Sequence, residues 1–79
     1  MKLQILGSGC AKCEKLYKVT EDAAKKLNID YEMEKVTDIN DIMSFGVMLT
    51  PALVVDGKVE LVGVIPSSAK MEKLLTSKQ

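Results

Sequence analysis

Positions 2–6, KLQIL, place Leu3 and Ile5 on one face and run into the breaker Gly7-Ser8-Gly9, which predicts a short strand. From Ala11 the pattern changes period. Leu16, Val19, Thr20, Ala23 and Leu27 recur at spacings of three and four, predicting a long amphipathic helix that Asn28 ends. Residues 30–36 alternate again, Tyr31 and Met33 against Glu32 and Glu34, as in an edge strand. Thr37 or Asp38 then caps a short helix in which Ile39, Ile42 and Met43 share a face, with Gly46 closing it. After VMLTP, the run ALVVDGKVELVG sets two β-rich stretches around Asp56-Gly57, a strong local hairpin signal. Ser67, behind Pro66, opens a last helix with Met71, Leu74 and Leu75 inward.

The predicted order is thus β-α-β-α-β-β-α. The first strand, crossover helix and second strand make a right-handed parallel unit, and the hairpin adds an antiparallel pair, with helices on both faces of four strands. Met33, Met43 and Met71 fall on apolar faces and are expected in the core. Val47, Met48, Leu49 and Ile65 are expected either as core or as an apolar rim.

At 79 residues the chain is expected to form one domain, and 47% hydrophobic with 28% charged residues is the balance of a globular protein. Eleven basic residues offset eleven acidic ones, so no field gathers phosphates and nucleic acid is not an expected partner. Lysines 12, 15, 18, 25 and 26 are interleaved with acids and read as a solvated helix face. The apolar run 45–55 is too short to span a bilayer and Pro51 breaks it, so no membrane is expected. The start lacks the apolar stretch of roughly 7–15 residues that marks a secretory signal, which makes the cytoplasm the expected location, where thiols are kept reduced.

Chemistry concentrates in GCAKCEK, which holds both cysteines of the chain. Cys10 is expected at the N-cap or first turn of the long helix and Cys13 one turn in. Unpaired backbone N–H groups and the positive end of the helix dipole there favour thiolate, as does Lys12, with Glu14 partly opposing. Three readings follow. A local disulfide staple would contribute about 2 kcal/mol by chain entropy. Zinc is not expected, because two cysteines and no histidine cannot complete a tetrahedral site in a monomer. Cu(I), soft and two-coordinate, could be carried by the same pair, as in heavy-metal-associated domains. Those domains finish on a strand, however, and commonly carry methionine where this chain has Ser8. The third reading is a redox couple that exchanges with other disulfides.

Cys10-Ala11-Lys12-Cys13 behind the first strand, Thr50-Pro51 directly ahead of the third, and the element order together resemble the thioredoxin/glutaredoxin superfamily over the whole chain. GSGCAKCEKL and TPALVVDGKVELVG are most similar to the small thioredoxin-like redox-active disulfide proteins of archaea and bacteria. The resemblance implies an α/β thioredoxin-like fold, a four-stranded mixed sheet flanked by three helices, over residues 1–79. It implies a thiol–disulfide oxidoreductase in which Cys10 attacks a substrate disulfide and Cys13 resolves the mixed disulfide. In that family the proline matching Pro51 is cis and lies against the disulfide, so that Thr50, with Lys12, would shape the substrate-binding surface. Implied partners are protein disulfides and a disulfide reductase; no cofactor or metal is implied, and a monomer is expected.

The chain also departs from the pattern that it resembles. It has no tryptophan. Gln4 stands where thioredoxins carry a buried acid that aids proton transfer to the resolving thiol. Ala-Lys separates the cysteines where glutaredoxins often have Pro-Tyr, and GVIPSS replaces their Gly-Gly and Asp, which makes glutathione a doubtful partner. Gly63 keeps a bare backbone near the expected disulfide.

Overall fold

The computed structural model describes residues 1–9 and 11–78. Four strands and three helices follow in the predicted order: β1 (Lys2–Leu6), α1 (Ala11–Lys26), β2 (Glu32–Val36), α2 (Ile39–Ser44), β3 (Ala52–Val55), β4 (Lys58–Val62) and α3 (Ser68–Ser77). The sheet order is β2-β1-β3-β4. β1 pairs in parallel with β2, from Lys2 opposite Glu32 to Leu6 opposite Val36. It pairs antiparallel with β3, which pairs antiparallel with β4.

The two central strands are buried on both faces, and alternation along them sorts the core into two layers. Leu3 and Ile5 of β1, with Leu53 and Val55 of β3, pack under Leu16, Ala23 and Ala24 of α1 and Met71 and Leu75 of α3. Leu6, Ala52 and Val54 face the other way, against Ile42 of α2, Val36 and Val47. Leu74 packs half-buried at the edge of the first layer. The exposed lysines of α1 stand on its solvent face, as expected.

Turn chemistry holds the ends of the sheet. Asp56 and Gly57 both have positive φ, 49° and 86°, the backbone that a two-residue type I′ hairpin requires. Asp56 is also tied to the adjacent strand: its Oδ1 accepts from the Lys2 N–H at 2.7 Å, and its own N–H donates to the Lys2 carbonyl at 2.8 Å. The β3–β4 register shifts between Leu53 and Val54, which leaves Glu60 as the extra residue on β4. The Glu60 carboxylate meets the Lys78 ammonium at 2.8 Å. Asp38 caps α2, accepting from the N–H groups of Asn40 and Asp41, and Ser67 caps α3, accepting from Lys70.

The α2 face differs from expectation. Ile42 is buried, whereas Ile39 and Met43 are 68% and 64% exposed. Six residues make fewer than two turns, and Ile42 with Val47 and the half-buried Phe45 already covers the small apolar face of β1 and β3. Ile39 and Met43 therefore project beside the sheet, and Met43 is not core. Among the residues expected as core or rim, Val47 is buried, Ile65 packs half-buried on the larger layer, and Met48 and Leu49 lie outside, Met48 being 94% exposed.

Candidate active site

Cys13, Gly7 and Thr50 converge at the end of β1 where the chain leaves the sheet for α1. Gly7 continues the α1-facing side of β1, and its N–H donates to the Val36 carbonyl at 3.0 Å. Cys13 lies in the first turn of α1 and is 5% exposed. Its sulfur sits against Gly7 so closely that a Cβ on residue 7 would run into Cys13 Sγ, and that same Cβ would lie 3.7 Å from the Cβ of Thr50. The close approach of the α1 sulfur to the β1 backbone therefore depends on glycine at position 7. Cys10 lies outside the described residues.

The loop opposite Cys13 carries the second half of the site. The Thr50–Pro51 peptide bond is cis, Pro51 is fully buried and Thr50 is exposed. The Pro51 carbonyl accepts from the Gly63 N–H at 2.7 Å, which ties this loop to the end of β4. Gly63 lies under Leu49, where an added Cβ would come within 3.6 Å of the Leu49 Cβ. Lys12 is exposed on the first turn of α1, one residue from Cys13.

Two openings flank the site. One is an apolar groove of about 330 Å³ walled by Ile39, Ile42, Met43, Val47 and Met48 and entered past Ser8 and Thr50. The other is a cavity of about 20 Å³ between Cys13, Glu14, Gly7, Lys35 and Thr37. At its lip, Lys35 Nζ is 3.0 Å from Glu14 Oε1 and 5.0 Å above the Tyr17 ring. Gln4, by contrast, stands on the sheet side that carries α2, and its Nε2 donates to Glu34 Oε1 at 2.7 Å. It faces away from the α1 side where Cys13 packs.

Sequence reasoning missed the fit at Gly7, which reads along the chain as a strand terminator. It also missed the Glu14–Lys35 pair, whose members are separated by 21 positions and meet only because β2 lies beside β1 under α1.

Residues 1–76 match the model of a family described as the thioredoxin domain. The chain belongs to the thioredoxin family. A thioredoxin of Methanothermobacter thermautotrophicus (strain Delta H) is 40% identical over 76 residues, covering 96% of this chain and 99% of its own length. A thioredoxin of Methanocaldococcus jannaschii is 37% identical over 75 residues, covering 95% of this chain and 86% of its own. With this thioredoxin family the chain is a thiol–disulfide oxidoreductase, and the copper-carrier reading finds no support in these relatives. Among the described residues no helix is long and apolar enough to cross a membrane.

Proposed function

We propose that Cys10 and Cys13 are the redox couple of this oxidoreductase, in one domain over residues 1–79, and that protein disulfides are its substrates. Cys10 attacks a substrate disulfide to form a mixed disulfide. Cys13 then attacks Cys10, the substrate leaves as a dithiol, and a disulfide reductase in the cytoplasm returns the pair to thiols. The observation that carries this reading is the meeting of Cys13, Gly7 and Thr50 at the end of β1: the buried sulfur packs against Gly7, and Thr50, an exposed residue of the neighbouring loop, borders the same glycine. A thiol held there cannot readily reach a bulky substrate, which suits the resolving role and leaves attack to Cys10, three positions earlier in the sequence.

Equilibration with dithiothreitol and its disulfide tests the pair. Both thiols are expected to disappear together, yielding a monomeric protein two mass units lighter, and the reduced protein is expected to speed reduction of a protein disulfide such as insulin's. Intermolecular disulfides as the sole oxidised product would exclude an internal redox couple.

Substrate docking fits the apolar groove. Ile39, Met43 and Met48 present exposed apolar surface continuous with Thr50 and Ser8, and methionine adapts to differing partner shapes. The occupant we assign to it is the apolar chain segment flanking a substrate's disulfide, with Thr50 and Lys12 at its near end. Met43→Glu, a change at an already exposed position, is expected to raise KM for a protein disulfide about tenfold, equivalent to about 1.4 kcal/mol. It should leave the rate with a small disulfide unchanged. Equal effects on both substrates would place docking elsewhere.

A further inference from the structure

Resolution of a mixed disulfide needs the Cys13 proton removed, and because burial disfavours the thiolate a suitably placed proton acceptor would speed that step. Gln4 cannot serve, since an amide does not titrate and its side chain is held by Glu34 on the α2 side of the sheet. Glu34 is excluded on the same geometry: strand alternation sends Glu34 and Val36 to that side and Met33 and Lys35 to the α1 side.

The α1 side offers a different group. Of the residues lining the small cavity against Cys13, namely Ile5, Gly7, Gly9, Glu14, Lys35 and Thr37, Glu14 is the carboxylate. Its volume of about 20 Å³ is enough for one water molecule, and Cys13, Glu14 and Thr37 are among the residues that line it. Glu14 is paired at the lip of this cavity. Lys35 grips it at 3.0 Å and is itself held over the Tyr17 ring at 5.0 Å, within cation–π range. A half-exposed ion pair of this kind adds little to stability, about 0–1 kcal/mol, so its value lies in where it holds the carboxylate.

Given the roles proposed above for the two cysteines, we infer that Glu14, positioned by Lys35, accepts the Cys13 proton through a water in this cavity as the mixed disulfide is resolved. The proton passes from Cys13 Sγ to the Glu14 carboxylate. The Cys13 sulfur forms a bond to Cys10 Sγ while the bond from Cys10 to the substrate sulfur breaks. The substrate sulfur leaves with the electron pair and takes a proton from solvent, to which Glu14 later returns its own. The substrate is reduced by two electrons and the cysteine pair is oxidised by two.

The reagent 5,5′-dithiobis(2-nitrobenzoate) separates the two steps, because attack releases a first coloured thiolate and resolution a second. With a carboxylate as acceptor, the second release should change little between about pH 5.5 and 7.5, whereas prior ionisation of the thiol would make it rise about tenfold per pH unit. The expected result is a shallow profile for the wild type and for Glu14→Asp. Glu14→Gln should show the tenfold-per-unit rise and about a tenfold slower second release near pH 6, with the first release unchanged. Two-step release with the same profile in wild type and Glu14→Gln overturns the role of Glu14 and leaves the cysteine pair intact. A wild type that releases no second equivalent overturns the reading of the pair and this inference with it.

Discussion

Cys13→Ser is expected to stop turnover at a long-lived mixed disulfide between Cys10 and the substrate, whereas Cys10→Ser should abolish attack altogether. Both effects follow from sulfur chemistry. A serine hydroxyl is negligibly ionised near neutral pH and cannot complete thiol–disulfide exchange, so either change should lower reductase turnover by at least about a thousandfold. The two variants should fail at different steps. Cys13 is 5% exposed and lies against Gly7, so a bulky substrate disulfide must meet the other sulfur first. Serine at position 13 keeps nearly the same shape, and Leu16, Ala23 and Ala24 still anchor α1 to the sheet, so the variant should fold. Mass spectrometry under non-reducing conditions should find substrate attached to Cys13→Ser and none attached to Cys10→Ser. Iodoacetamide near neutral pH should label Cys10 of the reduced wild type first. Reductase activity retained in Cys10→Ser, or equal labelling of both thiols, would reverse or remove the assigned roles.

Much of the scaffold around these sulfurs was legible because each element announces itself locally. Leu3 and Ile5 alternate and stop at a glycine pair, Asp56-Gly57 can be little other than a hairpin turn, and Asp38 and Ser67 each precede an apolar repeat as a cap should. Helical periodicity says which residues share a side but not whether anything covers that side. Ile39 and Met43 do share one, and it borders an open groove because Ile42 and Val47 fill the space on the sheet. The groove beside Thr50 was invisible for that reason. The lip of the Cys13 cavity was hidden for another: Glu14 and Lys35 belong to different elements, and their meeting depends on the parallel register that sets Lys35 beside Ile5. Gln4 shows how far the resemblance alone carries. It matches the position of the buried acid in thioredoxins and cannot titrate, and alternation along β1 turns its side chain toward Glu34.

Gly7→Ala should disturb both stability and catalysis, and Cys13 should be the cause of both. The added methyl would collide with Cys13 Sγ, while Thr50 at 3.7 Å would be in ordinary contact. The sulfur cannot swing freely aside, being buried at the junction of α1 and β1, and Gly7 cannot retreat while its N–H is bonded to Val36. Overpacking of this kind costs about 1–3 kcal/mol. For a domain of this size each kcal/mol lowers Tm by about 4–8 °C, so a fall of at least about 4 °C is expected. The catalytic loss should be proportionately larger, because displacing a reacting atom by about 1 Å can cost on the order of a hundredfold. It should fall on the second, resolving step and spare the first. A double-mutant cycle isolates the contact. In a Cys13→Ala background the colliding sulfur is gone, and the remaining Cys13 Cβ, 3.4 Å from the new methyl, is at the near edge of ordinary van der Waals distance. Gly7→Ala should therefore destabilise Cys13→Ala far less than it destabilises the wild type. Equal losses in the two backgrounds would mean that position 7 needs glycine for its backbone and not for the sulfur packed against it.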